Sequence, residues 1–562
     1  MTDSISASEH RRLIDVAAGR QAPSTVICTK HLFNTYSGQV GPANIWISGN
    51  YVAYVGAELP VKTKETAWFR LPETTVAVPA YIEPHAHPFQ LYNPFTLGRY
   101  LSEKGTLTSI NDNRPLLGLT DEAQQDAFVQ ALQTCGGHTW LWWAYFEEGL
   151  PPSSAAFSRW LGRSNVVQGG EFSNWQRFKQ ASDELTERLY AVRAAGKRME
   201  GHLPGASQRT LNLFASAGVS ADHEALSADE VIHRLNLGYW TALRYSSIRR
   251  DLPTILRQLA AYPSIDWSKL MLTSDGASLP FLTEATPAEL IAIAMDCGIA
   301  PAAAYRMATV NPAVYYRIDH LAGCIAPGRL ANINVLASLA DPRPQRVMFK
   351  GQWLEEIPAV PFHTARFFQP PVLTGLPETL PALAPVRLGL TLINAVITAS
   401  YACDPSAPLA DDESLLYYFN VRARRCLLTR IRGLAPKIDA LVSTYCLSGD
   451  NVLVIGRNRA RMEVLLQRAR SGFLGLAAEH RDGSMCTLPL PVLGTMSDEP
   501  IERLTRAAGE WEQFLRRGGY SFNDPFFTLL FLTAVHLPAV RLTAAGMRDV
   551  RSGRLLALSV PF

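Results

Sequence analysis

The chain has 562 residues, with 53 Lys and Arg against 50 Asp and Glu, and a formal net charge of +3. Hydrophobic residues make up 47% and charged residues 18%, a composition that excludes extensive disorder. The length predicts roughly three to five domains. The balanced charge argues against a protein that binds nucleic acid by electrostatic attraction.

Cysteine usage and the chain's termini indicate the compartment. The eight cysteines are dispersed without a Cys-x-x-Cys pair, which is typical of a reduced intracellular protein. The polar N-terminus has no apolar signal region. The longest apolar stretch, 526–540, is interrupted by His536 and Pro538 and is shorter than the ~20 residues of a membrane helix. We expect a soluble cytoplasmic protein with no membrane or nucleic-acid partner.

In chain order, the first 75 residues predict short strands, including a hairpin in which 44–48 and 51–56 pair across Gly49-Asn50. Between residues 76 and 322, short apolar runs alternate with helical segments such as 120–133, 182–195 and 286–294, which predicts βα units and a parallel sheet. Residues 323–385 return to β-like patterns and end in a Pro-rich linker. Residues 386–562 form a separate segment with a strand at 451–455 and a helix near 500–517.

The second segment contains eight candidate strands, at 77–82, 106–110, 138–146, 165–168, 198–199, 219–221, 240–243 and 269–273. Eight βα units are typical of an α/β protein of the TIM (β/α)8 barrel class, in which catalytic residues follow the C-terminal ends of the strands. Polar residues follow nearly every candidate strand here, so we expect them to converge on one face of the barrel.

Six strand-end residues are candidate metal ligands: His85, His87, Glu171, His202, His223 and Asp275. Residues i and i+2 of a strand point to the same face, so His85 and His87 can reach one cation. Imidazoles combined with carboxylates suit Zn, Mn or Fe, and a carboxylate between two cations can support a two-metal site.

Other polar and aromatic residues have simpler interpretations. Isolated histidines are more often surface or hydrogen-bonded residues, which is the prediction for His536. His138 precedes an aromatic run and is predicted to be structural. Trp140, Trp142 and Trp143 are predicted to pack in the core or at its rim. Glu200 and Glu224 neighbour candidate ligands and are predicted to support them.

Several of these motifs resemble those of the amidohydrolase superfamily and, within it, of the adenine deaminases. The resembling barrel segments are 81–87 (YIEPHAH), 169–171 (GGE), 200–205 (EGHLPG), 220–224 (SADHE) and 273–275 (TSD). In the last segment, 488–491 (LPLP), 496–498 (MSD) and 524–526 (DPF) resemble the additional domain of adenine deaminases. The nearest resemblance is to a subgroup marked by His-Ala-His-Pro (85–88) and Gln-Leu-Tyr-Asn-Pro (90–94).

The resemblance implies an architecture and an activity. The architecture is a metal-dependent barrel (76–322), a β-sandwich split between 1–75 and 323–385, and an α+β C-terminal domain (386–562). The activity is the hydrolytic deamination of adenine or a related 6-aminopurine to hypoxanthine and ammonia, a reaction of purine metabolism. The implied cofactor is a divalent metal centre, expected to be binuclear (Mn, Fe or Zn), and the implied partners are a small-molecule substrate and further copies of the chain. Asp275 is expected to move protons between water and the leaving ammonia.

The sequence departs from the family pattern in two places. Adenine deaminases have Asp-Pro-His-Glu after the second strand, whereas this chain has Asn-Asp-Asn-Arg-Pro at 111–115, so the Glu that is thought to shuttle a proton is missing. Their last domain carries His-Asp-Ser-His-Asn, where this chain has Cys-Leu-Ser-Gly-Asp-Asn at 446–451. Candidate replacements for the missing Glu are Asp112 and Glu224, and candidate substrate contacts are Arg244, Ser247 and Asn113.

Two alternatives stay open. One is a metal hydrolase that opens a cyclic amide or acts on another aminated heterocycle, because Arg114 would favour an anionic substrate. The other is a non-catalytic metal-binding or regulatory homologue. The presence of all six ligand types argues against the second alternative.

Overall fold

The computed structural model describes residues 5–147, 151, 153–173, 178, 183–262, 264–358, 364–368, 371–447 and 449–562. The strands of these residues form three large sheets and two small ones. Every helix in this described part of the chain is too short or too polar to cross a lipid bilayer.

The first large sheet joins the two flanks of the barrel. Its eight strands are Thr25–Phe33, Val40–Ser48, Tyr51–Gly56, Ala67–Arg70, Val76–Pro79, Ile333–Ser338, Asp341–Phe349 and Gln352–Trp353. The predicted hairpin is confirmed, because Ser48 pairs with Tyr51 and leaves two residues for the turn. Ile333 pairs with Pro79, so strands more than 250 residues apart in sequence share this sheet. The helix Ala7–Ala17 packs on it.

The predicted first barrel strand, 77–82, is wrong as a single strand. Val76–Pro79 belongs to the split sheet, whereas Tyr81–Ala86 belongs to the barrel. Pro79 has no N–H to donate to a further ladder, and Ala80 donates instead to Asn332 O at 3.1 Å. The chain therefore passes from one sheet to the next within a single residue.

The barrel consists of eight parallel strands in sequential order: Tyr81–Ala86, Thr106–Asn111, Thr139–Ala144, Val166–Phe172, Arg198–Gly201, Ala221–Asp222, Trp240–Arg244 and Leu270–Thr273. The last strand lies beside the first, and Thr273 Oγ1 closes the gap by donating to Glu83 Oε1 at 2.6 Å. The barrel helices are Pro94–Glu103, Arg114–Leu119, Glu122–Thr134, Ser154–Leu161, Asp183–Ala194, Gln208–Ser216, Ala228–Asn236, Leu252–Ala260, Pro287–Asp296, Pro301–Met307 and Val310–Tyr315.

The C-terminal domain contains a nine-stranded sheet: Leu388–Leu392, Thr398–Ala402, Glu413–Asn420, Arg425–Arg432, Ile438–Ser443, Asn451–Gly456, Gly475–His480, Met485–Pro489 and Val560–Pro561. Alternate residues of its strands face opposite sides. Tyr417 and Phe419 pack towards helix Arg459–Arg470, while Leu416 and Tyr418 pack towards helix Ile501–Arg517. Helix Pro525–Phe531 and a small sheet of Val540–Thr543, Gly546–Asp549 and Leu555–Leu558 complete the domain.

The C-terminal domain covers the face of the barrel at which the strands end. Leu91–Tyr92, just beyond the first barrel strand, forms a parallel two-stranded sheet with Met496–Ser497. The buried core of this domain continues into the barrel loops through Leu279 and Phe281. The two parts therefore enclose the space between them.

Candidate metal centre and substrate cavity

The first and last barrel strands bring three of the predicted ligands together. His85 Nε2 and His87 Nε2 lie 3.2 Å apart, as expected for residues i and i+2 of one strand. Asp275 Oδ1 lies 3.2 Å from the first of these nitrogens and 3.3 Å from the second. These three atoms surround one point at the mouth of the barrel.

Glu171 lies between this group and a second pair of histidines. Its Oε2 is 3.8 Å from His87 Nε2 and 4.0 Å from His85 Nε2. Its Oε1 is 2.8 Å from His202 Nδ1 and 3.4 Å from His223 Nε2. The carboxylate therefore presents one oxygen to each half of the cluster.

All six predicted ligands converge in this cluster. Their donor atoms form three overlapping groups within 4.8 Å: His85, His223 and Asp275; His85, His87 and Glu171; and Glu171, His202 and His223. Imidazole nitrogens with carboxylate oxygens form a donor set that fits a divalent cation.

Glu200 fixes two of the histidines from behind. Its Oε2 lies 3.0 Å from His85 Nδ1, and its Oε1 lies 3.0 Å from His223 Nδ1. A carboxylate on one ring nitrogen orients the imidazole and leaves the other nitrogen for a metal. Burial raises the pKa of Glu200, but the charges and hydrogen bonds of His85 and His223 hold it at about 2. The predicted supporting role of Glu200 agrees with this geometry.

Asp112 acts similarly on His87. Its Oδ2 lies 3.1 Å from His87 Nδ1, while its Oδ1 accepts hydrogen bonds from Trp143 Nε1 at 3.1 Å and from the Arg114 backbone N–H at 2.7 Å.

Trp142 and Trp143 are fully buried, as predicted for core residues. His138 is buried between the hydroxyls of Ser102 and Ser109, in agreement with its predicted structural role.

A network of buried arginines and carboxylates borders the cluster. Arg244 Nη2 lies 2.8 Å from Asp275 Oδ2, and its Nη1 contacts Glu224, which also pairs with Arg249. Burial raises the pKa of Asp275, but Arg244 and hydrogen bonds from the histidines outweigh burial and hold the pKa well below its usual range. Burial also raises the pKa of Glu224, yet the charge of Arg244 holds it at about 2. Both carboxylates are therefore ionised at neutral pH.

The backbone around Asp275 is strained. Asp275 has a φ of +52°, in the left-handed region that non-glycine residues seldom adopt. Gly276 follows at +65°, and a Cβ added there would lie 2.6 Å from His87 Cβ. Strain of this kind is concentrated at functional sites, where the surrounding structure holds the chain in place.

The cluster lies at the bottom of a cavity of about 820 Å³. Its floor is polar and includes His87, Glu171, His202 and Asp275. Its roof comes from the C-terminal domain and is mainly apolar; it is formed by Ala395, Val396, Ile397, Cys446, Leu447, Phe522, Phe527, Leu530, Phe531, Leu537 and Pro538. We use "floor" and "roof" for these two residue sets.

The predicted substrate contacts occupy different positions. Arg244 lines the cavity, as do Asp112 and Glu224. Ser247 does not line it; its Oγ lies 3.4 Å from Ser278 Oγ, and it hydrogen-bonds to Asp524 of the C-terminal domain. Asn113 is also away from the wall, where its Oδ1 accepts from the Tyr145 backbone N–H at 2.9 Å. The roles assigned to these residues stay predictions.

Sequence reasoning missed part of the wall. His536, expected to be a surface or hydrogen-bonded residue without a part in the site, lines the cavity from the roof side. Gln90 also lines it, although its motif suggested no role. Gln90 lies three residues after His87, and this proximity in sequence could have indicated that it lines the cavity. Nothing in the sequence around His536 indicates that it does.

Comparisons with known proteins give consistent matches. A model described as "Amidohydrolase family" matches residues 153–354, and one described as "Adenine deaminase C-terminal domain" matches residues 407–554. A relative from Halalkalibacterium halodurans is 34% identical, with 98% of this chain and 97% of the relative covered. A relative from Bacillus subtilis (strain 168) is 33% identical with the same coverage, and both are named "Putative adenine deaminase". A relative named "Adenine deaminase" from Methylobacterium nodulans is 26% identical over 98% of this chain and 100% of its own length.

Proposed function

Since this chain belongs to the adenine deaminase family of the amidohydrolases, we propose that it hydrolyses adenine or a related 6-aminopurine to hypoxanthine and ammonia. The observation that carries the proposal is the convergence of four histidines, Glu171 and Asp275 at and just below the floor of the cavity. The cavity is large enough for a purine, since ligand pockets of about 300–1,000 Å³ hold small molecules.

We propose a binuclear centre of Mn, Fe or Zn. One cation would be held by His85, His87, Asp275 and Glu171 Oε2, and the other by His202, His223 and Glu171 Oε1. The support is that the two Glu171 oxygens face different histidine pairs. When bound, divalent cations lower the pKa of water and supply a hydroxide nucleophile near neutral pH.

The chain's own residues then handle the protons. Asp275 Oδ1 faces the cluster, while its Oδ2 is held by Arg244, so one oxygen is positioned to accept a proton from water. The water oxygen bonds to the purine carbon that bears the amino group, and the carbon–nitrogen bond breaks. Asp275 returns the proton to the departing amino group, which leaves as ammonia.

Asp112 and Glu224 are proposed here to position other groups rather than to shuttle a proton. Asp112 accepts hydrogen bonds from His87, Trp143 and the Arg114 N–H, and its geometry suits an orienting residue. Glu224 pairs one oxygen with Arg244 and the other with Arg249, so both of its oxygens are occupied by arginines. Its position keeps Arg244 directed at Asp275.

The test is ammonia release from adenine by protein loaded separately with Mn, Fe and Zn. We expect release with at least one of these metals and none after chelation. Turnover of a different substrate, without ammonia from adenine, would reject the proposed substrate. Metal content measured on the same samples separates an unloaded protein from an inactive one.

A second candidate is hydrolysis of a cyclic amide or of another aminated heterocycle that carries an anionic group. The observation in its favour is that Arg114 lines the cavity where the family has a carboxylate. Screening lactams and purines with and without a carboxylate substituent distinguishes the candidates, because only the second predicts a preference for the anionic compounds.

A further inference from the structure

Gln90 lies on the cavity wall with an unused hydrogen-bond acceptor. Its side chain is half-buried, and its Oε1 is enclosed without a hydrogen-bond partner among the described residues. A buried polar atom without a partner is rare in native structures and costs free energy until a ligand or water pairs with it. Gln90 is therefore a wall residue with capacity to bind.

The charged groups Asp275 and Glu224 differ from Gln90 in their contacts. Asp275 contacts His85, His87 and Arg244, and Glu224 contacts Arg244 and Arg249, so these carboxylates are committed to charged partners. These groups already hold one another in place. The Gln90 carboxamide differs because it is neutral and makes no such contact with the residues that the structure describes.

The backbone that carries Gln90 is held in a strained conformation. The next residue, Leu91, is fully buried and has a φ of +57°, which is unfavourable for a side chain branched like that of Leu. Its N–H donates to Thr495 O at 3.0 Å, and the Gln90 carbonyl accepts from the Tyr92 N–H at 2.6 Å. The pairing with Met496–Ser497 therefore fixes the direction in which Gln90 points.

A second set of contacts anchors the same segment. Tyr92 Oη donates to Ala277 O at 2.8 Å, two residues beyond Asp275. Asn93 Nδ2 donates to Ser497 O at 2.9 Å and to Asp498 Oδ1 at 2.8 Å. Gln90 is thus tied both to the strand that carries Asp275 and to the C-terminal domain, and it is pre-organised as a recognition residue.

We propose that the Gln90 carboxamide contacts the substrate directly and pairs with the amino group and an adjacent ring nitrogen of the bound 6-aminopurine. A carboxamide offers an acceptor and a donor side by side, and the edge of adenine offers the complementary donor and acceptor, as in Gln–adenine pairs in DNA recognition. The proposal rests on the proposed function and names the residue that reads the amino-bearing edge.

The test is a thermodynamic cycle. It combines one substitution in the protein with analogues of adenine, each of which lacks one hydrogen-bonding group. Dissociation constants are measured for metal-loaded Asp275→Asn protein, which blocks turnover, with Gln90 intact and with Gln90→Met added. The ligands are adenine, purine (which lacks the amino group), 1-deazaadenine and 7-deazaadenine. Gln345→Met, in a separate cavity of about 590 Å³, is the control and should leave every dissociation constant unchanged.

We expect Gln90→Met to weaken adenine binding by about tenfold to a hundredfold and purine binding by no more than about twofold. Gln90→Met should also weaken the binding of one deaza analogue less than that of adenine. That analogue is the one that lacks the paired ring nitrogen, so the result identifies the nitrogen. Unchanged purine binding shows in the same experiment that the cavity is intact. Equal losses for adenine and purine, or no loss for adenine, would overturn the proposal.

Ammonia release by the wild-type holoenzyme separates this proposal from the proposed function. If ammonia is released but the cycle shows no coupling, only the assignment of Gln90 fails. If the cycle shows coupling but no ammonia is released, the reaction is wrong while the recognition stands. If adenine does not bind to the loaded protein, both are wrong.

Discussion

The floor and the roof of the cavity are built in opposite ways. On the floor nearly every group is ionisable, and each is fixed by two or more partners; Glu171 alone approaches four histidines. The roof is mainly aromatic and aliphatic, with Phe527 and Phe531 stacked at 4.9 Å between ring centroids. The difference indicates that the barrel supplies the chemistry and the C-terminal domain supplies the enclosure that excludes water and shapes the site.

The largest effect is expected from a single atom of the floor. Asp275→Asn keeps an oxygen near the histidines but removes the proton acceptor, so kcat for ammonia release should fall about a thousandfold while metal content is largely retained. Asp251→Asn, which alters a carboxylate paired with Arg249 away from the cavity wall, is the control. Unchanged kcat in the Asp275 variant would reject the assigned role.

A substitution of Glu200, which lies behind the floor, should act through metal affinity. Glu200→Gln can accept a hydrogen bond with only one oxygen, so it cannot orient His85 and His223 together, and metal affinity should fall about 10- to 100-fold. Activity should return in excess metal, as measured by titration with atomic analysis of bound metal. Glu413→Gln removes a buried carboxylate that pairs with Arg430 in the C-terminal domain, and it should leave metal affinity unchanged.

A roof substitution should separate substrate binding from metal binding. Phe531→Ala removes an aromatic ring from the cavity wall, so KM should rise about five- to tenfold with metal content unchanged. Phe473→Ala, a similarly half-buried residue that packs with Leu465 and its neighbours elsewhere in the same domain, is the control and should leave KM unchanged. Metal loss in the Phe531 variant would contradict the division between floor and roof.

The smallest effect concerns Asp524, which joins the roof to the barrel. Burial raises its pKa above the ordinary 3.8, although hydrogen bonds from Ser247 and Ser278 lower it. A raised folded-state pKa means that the stability this carboxyl contributes declines as pH rises from the ordinary value of 3.8 through the raised folded-state value. The melting temperature of Asp524→Asn relative to wild type should therefore be higher at pH 7 than at pH 3.5.

Asp229→Asn is the control for that measurement, because its carboxylate contacts the exposed Tyr262 on the surface. Its melting temperature relative to wild type should show no such trend. A constant difference for Asp524→Asn across the pH range would show that the carboxyl does not titrate in the way its burial implies.

The floor was predictable from the sequence and the roof was not. Strand ends of a parallel barrel must meet on one face, so the positions of His85, His202 and Asp275 followed from local patterns. The predicted first strand failed because an apolar run does not show which of two sheets it joins. His536 reaches the cavity from a domain more than 200 residues beyond the barrel strands, and no local spacing encodes that meeting.

The positions of Ser247 and Asn113 away from the cavity wall have a common physical cause. Ser247 and Asn113 both follow barrel strands, yet the first contacts Asp524 and the second holds the Tyr145 N–H. Position at a strand end brings a residue to the correct face of the barrel. It does not determine whether the side chain turns towards the cavity or towards a neighbouring loop.

The pairing of Leu91–Tyr92 with Met496–Ser497 has a consequence for biosynthesis. A ribosome that has completed the barrel strands at Thr273 must add more than 200 further residues before this partner strand exists. During that interval the segment after His87 lacks the strand that holds it, and the candidate metal ligands lack the cover of the C-terminal domain. The nascent chain therefore acquires an enclosed centre only late in translation, after its ligands have been open to cations from the surroundings.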